Sequence, residues 1–178
     1  MATLTIYRYF LLSKLLYTQE SMDSLLSFYE DHADKIYNFC FWRIGNKEDA
    51  QDITSEAFLR FVKNKGLDKQ YPQAYLYAIC RNLIADHYHS KKGMVSLEQL
   101  VEQGREPAGE TNTEQALDLT QIYQEMNALP DDQREAMVLR YVQDLNTATM
   151  CRVLDKTEAS VKSLLYRGLE TIRNKINI

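Results

Sequence analysis

The feature that most constrains this chain is the helical spacing of its apolar residues, which recurs along most of the 178-residue sequence. Only six glycines and three prolines interrupt it, whereas a sheet-rich fold needs frequent turns. Hydrophobic residues make up 45% of the chain, enough to build a core. The sequence therefore predicts an all-α protein.

Three predicted helices form a first module, residues 22–92. They cover residues 24–44, 47–64 and 72–90, because the apolar residues there recur at steps of three and four. The inward positions are Leu25, Tyr29, Ala33, Ile36, Cys40 and Ile44, then Ala50, Ile53, Ala57 and Phe61, then Leu76, Ile79, Leu83 and His87. Gly45 and Asn46 end the first helix, and Pro72 begins the third. Three helices of this length can bury one small core.

The N-terminal extension, residues 1–21, lies outside this pattern. Residues 4–16 are apolar but carry Arg8 and Lys14. They are fewer than the roughly 20 apolar residues that span a bilayer, and they lack the order of a signal peptide. An amphipathic helix on a partner or a membrane surface and an untranslated or dispensable extension all remain open.

Residues 93–116 are predicted to be an acidic linker. Residues 93–119 hold six acidic residues and one basic residue, a net charge of −5, and they contain Gly104, Pro107 and Gly109. Such a composition is typical of a connecting segment that has no core of its own.

A second module is predicted over residues 117–178. The stripe of Ile122, Met126 and Leu129 precedes helices over residues 131–142, 145–154 and 157–176. Ala136, Met137 and Leu139 face inward in the first of these. The last has an apolar stripe of Val161, Leu165, Leu169, Ile172 and Ile176. A short helix, a tight turn and a longer helix describe a helix-turn-helix, whose second helix enters the major groove of DNA.

The charge distribution supports a nucleic-acid-binding end. The whole chain has a net charge of −4, but residues 152–178 hold six basic and three acidic residues, a net charge of +3. The outward residues of the last helix can contact phosphates and base edges. They are Glu158, Ser160, Lys162, Ser163, Tyr166 and Arg167. An ordinary capped surface helix has the same periodicity and remains the alternative.

Two further helix faces are candidate binding surfaces. In the second helix, Asp49, Asp52 and Glu56 fall within about 60° of one another, with Leu59 beside them. Clustered carboxylates are usually a solvated face, but this face also suits a basic, partly apolar partner. The third helix interleaves bases with aromatic residues, which suits unstacked single-stranded DNA. The aromatic residues are Tyr71, Tyr75, Tyr77 and Tyr88, each of which taken alone is more often core.

No pattern of catalytic or metal-binding residues stands out. Cys40, Cys80 and Cys151 are widely spaced in apolar helical contexts, which predicts buried, reduced thiols in a cytoplasmic protein. The chain has no CxxC motif, nucleophile–base pair or phosphate-binding loop. We expect no metal, no cofactor, no small-molecule substrate and no enzymatic activity.

In their order along the chain, these segments resemble the sigma-70 family of RNA polymerase sigma factors, in its extracytoplasmic-function subgroup. Residues 49–59 (DAQDITSEAFL) resemble the core-binding motif of conserved region two, and residues 75–86 (YLYAICRNLIAD) resemble the helix that follows it. Residues 128–142 resemble the start of region four, and residues 161–167 its recognition helix. The resemblance covers residues 22–92 and 117–176.

The resemblance implies partners and site residues. Region two would bind core RNA polymerase through Asp49, Asp52, Ser55, Glu56 and Leu59. It would hold the melted minus-ten element of promoter DNA through Tyr75, Arg81, Asn82, Asp86, His89, Lys91 and Lys92. Region four would read the duplex minus-thirty-five element through the six outward residues of the last helix. An anti-sigma factor is a further candidate partner, and chemistry stays with the polymerase.

Several residues depart from the family pattern. Ser55 replaces the usual glutamine, Tyr75 a tryptophan, and Cys151 a small alanine. Asp155 replaces the glycine of the turn, although aspartate can adopt the left-handed conformation. Leu164 replaces an arginine, which predicts an apolar group near the DNA face. The run over residues 87–92 is also poorer in arginine than is usual in the family. These departures together predict an unusual promoter sequence.

The sequence leaves two other functions open. A helix-turn-helix regulator acting without polymerase would leave the acidic face and the tyrosine-rich helix unused. A sigma-like decoy would bind polymerase or an inhibitor without strong DNA readout.

Overall fold

A computed structural model describes residues 19–92 and 122–176, with the exception of Tyr123. The predicted linker lies outside the described residues, as do residues 1–18 of the predicted extension. All regular elements of the described parts are helical, which confirms the predicted fold class. They are α1 (Gln19–Ile44), α2 (Lys47–Lys63), a 3₁₀ turn (Gly66–Asp68), α3 (Pro72–Lys92), α4 (Asp131–Met137), a π-helical turn (Val138–Val142), α5 (Thr147–Leu154) and α6 (Glu158–Ile176).

Short polar side chains fix the starts of three helices. The Asn46 side chain accepts a hydrogen bond from the Asp49 backbone N–H at 2.9 Å, and Asn146 caps α5 in the same way. Thr157 accepts from the Ser160 N–H at 3.3 Å, as the sequence predicts. Each cap satisfies a backbone donor that has no partner within its helix.

The core of the first module (α1–α3) follows the predicted faces. Ile36, Ala57, Phe61 and Leu76 are fully buried. The sequence prediction omits Phe39, Phe41 and Arg43 of α1, which are also buried. Helix α1 packs against α2 and also against the π-helical turn of the second module, so more than one of its faces is covered.

The apolar face of α6 differs from the predicted stripe. Leu164 is 7% exposed, whereas Leu169, predicted to face inward, is 41% exposed. The packed face runs through Val161, Leu164 and Gly168, where a Cβ on the glycine would lie 2.9 Å from Cγ of Met137. The prediction that Leu164 lies near the DNA face is therefore wrong, because helical spacing from Val161 carries it into the core.

One further inward position is corrected. Ile122 was predicted to join Met126 and Leu129 in a stripe, but it is 45% exposed while both of the others are buried.

The two modules pack against each other. We define the second module by its described residues, 122–176. Helix α5 contacts α3, and the π-helical turn contacts α1. The buried apolar residues of both modules form one continuous cluster. Within the parts of the chain that are described, no helix is long and apolar enough to span a membrane.

Candidate functional site

The acidic face of α2 is built as the sequence predicts. Asp52 is exposed, and Glu56 forms an ion pair with Arg60 at 2.8 Å. Asp49 lies 3.6 Å from His87 of α3, from carboxylate Oδ2 to ring Nε2. The predicted contact residues Ser55 and Leu59 are half-buried on the same helix. The face therefore presents carboxylates beside a partly exposed leucine, and the contact of Asp49 with His87 joins it to α3 at one end.

Four of the residues predicted to contact the minus-ten element share one face of α3. At about 100° per residue, Tyr75, Asn82, Asp86 and His89 fall within about 60° of one another. Asn82, Asp86 and His89 are exposed, and Tyr75 is half-buried, with the Lys69 ammonium 5.3 Å from its ring centroid. The side chains of Lys91 and Lys92 lie outside the description.

Arg81, which was grouped with these residues, points elsewhere. It lies about 100° around α3 from Asn82 and faces the second module. Its Nε donates to the Glu135 carboxylate at 2.8 Å, and its Nη1 donates to the Val153 carbonyl at 2.7 Å. Glu135 is 5% exposed. In this arrangement the guanidinium is occupied by protein.

The helix-turn-helix of α5 and α6 has the predicted turn. Asp155 adopts the left-handed conformation, with φ 52° and ψ 48°, which confirms that aspartate can take this conformation at the turn. The Lys156 N–H closes the turn by donating to the Cys151 carbonyl at 3.1 Å. Met150 and Val153 of α5 are buried beneath it.

All six residues predicted to read duplex DNA are exposed on the N-terminal half of α6. Lys162 Nζ lies 2.6 Å from the Glu158 carboxylate. Their hydrogen bond, with the attraction between the two charges, raises the pKa of Lys162 and lowers that of Glu158. Arg167 Nε donates to the Ser163 carbonyl at 3.3 Å, and Tyr166 is 68% exposed. The face can offer two cations, two serine hydroxyls and the ring and hydroxyl of a tyrosine to a nucleic acid.

A polar seam between the modules was not predicted. It consists of five contacts. Two are the contacts of Arg81 with Glu135 and Val153. The other three are an ion pair between Arg43 Nη2 and Asp131 Oδ2 at 2.9 Å, a hydrogen bond from the Tyr77 hydroxyl to Gln143 Oε1 at 3.0 Å, and the Arg152 guanidinium 3.9 Å above the Tyr71 ring. Burial raises the pKa of the Tyr77 hydroxyl. We use the name polar seam for this set of contacts.

A sequence signal for the seam exists at two positions. Arg43 follows the apolar run Phe41-Trp42, and Glu135 lies beside the buried Ala136. A charged residue at an inward position must find a partner, because an unpaired buried charge is costly. Periodicity shows that such a partner is needed, but it does not identify it.

The described residues include no group of three or more His, Cys, Asp or Glu side chains arranged to hold a metal ion. Cys40 and Cys80 are buried free thiols, and Cys151 is half-buried. Burial raises the pKa of Cys80 well above its ordinary value, which keeps it a thiol.

Comparison with known proteins identifies both modules. Residues 28–93 match the family model "Sigma-70 region 2", and residues 119–172 match "Sigma-70, region 4". The chain is 31% identical to the ECF RNA polymerase sigma factor BldN of Streptomyces coelicolor over 84% of this chain, and it spans 59% of that protein's length. It is 28% identical to the ECF sigma factor SigW of Bacillus subtilis, over 86% of this chain and 89% of SigW.

A third relative and a solved structure agree with these matches. The RNA polymerase sigma-E factor of Streptomyces antibioticus is 30% identical over 72% of this chain and 71% of its own length. The fold is similar to that of the sigma factor RpoE of Bartonella quintana, solved in complex with the anti-sigma factor NepR. The TM-score is 0.70 at 16% identity, covering 90% of this chain and 99% of RpoE. The chain belongs to the sigma-70 family of RNA polymerase sigma factors, in its extracytoplasmic-function group.

Proposed function

We propose that this protein binds core RNA polymerase through the acidic face of α2 and directs promoter-specific transcription initiation from the cytoplasm. The observation that carries the proposal is the contact between Asp49 and His87, which joins the acidic face of α2 to α3, the helix that bears the minus-ten face. A protein that docks through α2 would thereby hold α3 beside the DNA that the polymerase melts.

Core docking is assigned to Asp49, Asp52, Ser55, Glu56 and Leu59. Carboxylates with an apolar residue beside them complement a basic, partly apolar surface, and such complementarity speeds association and sets orientation. The serine in place of the usual glutamine shortens one side chain of the face.

Promoter contact is divided between the modules. Tyr75, Asn82, Asp86 and His89 would hold melted bases by stacking and hydrogen bonding. The exposed residues of α6 would contact duplex DNA in the major groove. Leu164 is buried, so the apolar substitution at this position does not place an apolar group against DNA.

The protein itself would carry no catalytic residue, because the polymerase performs the chemistry. An anti-sigma factor is the natural candidate for an inhibitory partner, since the fold is shared with a sigma factor solved in complex with one.

The proposal is tested by adding the full chain to sigma-free core polymerase and a promoter library. Specific transcripts are expected. Core binding without transcripts would favour the decoy function, and DNA binding without core binding would favour a regulator that acts without polymerase.

The docking face is tested by the charge reversal Asp52→Lys with Glu56→Lys. Association with core, measured by native gel shift, should be lost while the circular dichroism spectrum is unchanged. The matched control is Asp31→Lys with Asp34→Lys, which reverses two exposed charges on α1 and should leave association intact. Unchanged association in the α2 variant would refute the docking assignment.

A further inference from the structure

A pair of buried thiols lies where α1 packs against α3 in the core of the first module. Cys40 of α1 and Cys80 of α3 are both fully buried. The two thiols are hydrogen-bonded to each other, so their sulfur atoms are direct neighbours. Neither binding of polymerase nor binding of DNA uses this pair, because no solvent-exposed partner can reach it.

Large rings hold the two helices together at the level of the thiols. Phe39, which precedes Cys40, meets the ring of Tyr77 edge to face, with the ring centroids 5.2 Å apart. Tyr77 lies on the turn of α3 before Cys80. Burial raises the pKa of the Tyr77 hydroxyl, and the charges of both thiols add to this effect, which again places the two sulfurs close together. A bond between them needs only a further approach of atoms that are already neighbours.

Two neighbouring thiols and a peroxide give a balanced reaction. Hydrogen peroxide oxidises one sulfur to a sulfenic acid, and one water is released. The second thiol then attacks that sulfur, the S–S bond forms and a second water leaves. The two thiols together lose two hydrogens and two electrons, which reduce the peroxide to water.

The burial of both sulfurs determines when this reaction can occur. The thiolate is the reactive form, and burial raises the pKa of the Cys80 thiol, so the folded chain keeps the pair reduced. Oxidation therefore requires a transient local separation of α1 from α3. The neighbouring thiol then captures the sulfenic acid before it is oxidised irreversibly.

The bond would form behind the face that is proposed to hold the minus-ten element. At about 100° per residue, Cys80 lies about 120–180° around α3 from all four residues of that face, which are Tyr75, Asn82, Asp86 and His89. The acidic face lies on α2, which contains no cysteine. A disulfide between α1 and α3 therefore obstructs neither surface.

We propose that Cys40 and Cys80 form an oxidative modification site, which hydrogen peroxide converts into a disulfide that fastens α1 to α3. The bond closes the 40-residue separation of the two cysteines into a loop, which lowers the entropy of the unfolded chain. The oxidised protein is therefore harder to unfold than the reduced protein, and its binding faces stay free. The modification is a property of the free chain, so it does not depend on the proposed function.

The test treats the full, reduced chain with hydrogen peroxide, blocks the remaining thiols with iodoacetamide and maps the tryptic peptides by mass spectrometry. Trypsin places Cys40, Cys80 and Cys151 on separate peptides, which are residues 36–43, 70–81 and 141–152. The expected product joins the first two peptides at about 2 Da below the sum of their masses, for the two hydrogens lost. The third peptide should be recovered with its cysteine alkylated.

Thermal unfolding followed by circular dichroism gives a second readout. The oxidised chain should unfold about 8 °C above the reduced chain, and dithiothreitol should reverse the shift. Cys40→Ala and Cys80→Ala should each lose both the linked peptide and the shift, and either variant suffices if the other fails to fold. Cys151→Ser is the matched control and should retain both.

The prediction that the binding faces stay free is checked by amide NMR spectra of the oxidised and reduced chains. The amide signals of Asp52, Glu56 and His89 should coincide in the two forms, whereas those beside Cys40 and Cys80 should move. Displaced signals on the two faces would contradict this part of the proposal.

Two results would overturn the proposal as a whole. The first is the absence of the linked peptide under excess peroxide, even in urea just below the unfolding midpoint, which would mean that the two sulfurs cannot reach bonding distance. The second is a linked product that unfolds at or below the temperature of the reduced chain, which would mean that the bond distorts the packing of α1 on α3.

Discussion

At the scale of single residues, the two cations of the α6 face differ in how they are held. Lys162 is paired with Glu158 one turn away, whereas Arg167 donates to a backbone carbonyl of its own helix. Both side chains remain exposed, and neither pairing involves another element. A phosphate can therefore replace either partner at little cost, since exposed ion pairs contribute little to stability.

We predict that Lys162→Ala and Arg167→Ala each weaken duplex binding and lower its salt dependence by about 1 in the slope of log affinity against log salt. Each change removes one phosphate contact and the counterion release that accompanies it. The slope is obtained from duplex binding titrations at several salt concentrations. Lys175→Ala is the control, because Lys175 lies at the far end of α6 and pairs with Glu125 at 3.0 Å. An unaltered slope in the first two variants would mean that this face does not touch DNA.

Backbone strain is present at the turn of the helix-turn-helix. Asp155 has φ 52°, a conformation that costs a side-chain-bearing residue more than glycine. We expect Asp155→Gly to stabilise the protein by about 1 kcal/mol and Asp155→Ala to destabilise it. Thermal unfolding followed by circular dichroism measures both effects. Loss of stability in the glycine variant would show that the aspartate side chain contributes more than the strain costs.

At the scale of elements, helix α6 shows that helical spacing alone does not determine which face of a helix is buried. A stripe through Val161, Leu165 and Leu169 and a stripe through Val161, Leu164 and Gly168 both have helical spacing. A glycine carries no apolar signal, so the sequence favours the first stripe. The structure buries the second, because the missing Cβ lets α6 approach Met137 of α4 closely. Of the first stripe, Leu165 packs against the core but is only partly buried, and Leu169 is exposed.

This difference gives a matched pair of predictions. Leu164→Ala should destabilise the protein by about 2–4 kcal/mol, because it empties a buried site. Leu169→Ala should change stability by about 0.5 kcal/mol or less, because the side chain is 41% exposed. Urea unfolding of the two variants measures the difference. Similar losses in both would mean that α6 packs through the stripe read from the sequence.

The other elements were more predictable for physical reasons. Helix α2 has four inward residues at regular spacing, Ala50, Ile53, Ala57 and Phe61, and all four are buried. The exposed face of α6 follows from the same periodicity. The orientation of Arg81 does not, because it depends on Glu135, which lies 54 residues away in the sequence. Periodicity determines which way a residue faces on its own helix, but not which other helix it meets.

At the scale of the whole molecule, the polar seam joins two modules that the sequence describes separately. Arg43 is the buried cation of the seam, since it is 5% exposed while its partner Asp131 lies at the exposed start of α4. The backbone carbonyl of Arg43 also accepts a hydrogen bond from the Tyr88 hydroxyl, which ties α1 to α3. Loss of the polar seam should therefore allow the two modules to unfold separately without unfolding the core of either module.

Whether the modules unfold together can be measured with a natural probe. Trp42, the single tryptophan of the chain, lies beside Arg43 in the first module, so its fluorescence follows that module while circular dichroism follows all helices. We predict coincident thermal transitions in the wild type at pH 7. In Asp131→Ala the two transitions should separate by about 5 °C, because the buried Arg43 loses its counter-charge. Asp132→Ala, which removes the neighbouring acid of the same helix turn, should leave them coincident.

Acid should have the same effect as the Asp131 substitution. Burial raises the pKa of Asp131, but hydrogen bonds and charges from Arg43 and Arg134 outweigh it, so the pKa lies below its ordinary value of 3.8. A carboxylate with a lowered pKa in the folded state stabilises that state above the ordinary pKa, and the stabilisation is lost as the pH falls through the lowered value. The wild-type transitions should therefore separate only below pH 3.8, whereas those of Asp131→Ala should already be separate at pH 7. Coincident transitions in Asp131→Ala at pH 7 would show that the modules are coupled through their shared apolar cluster and not through this ion pair.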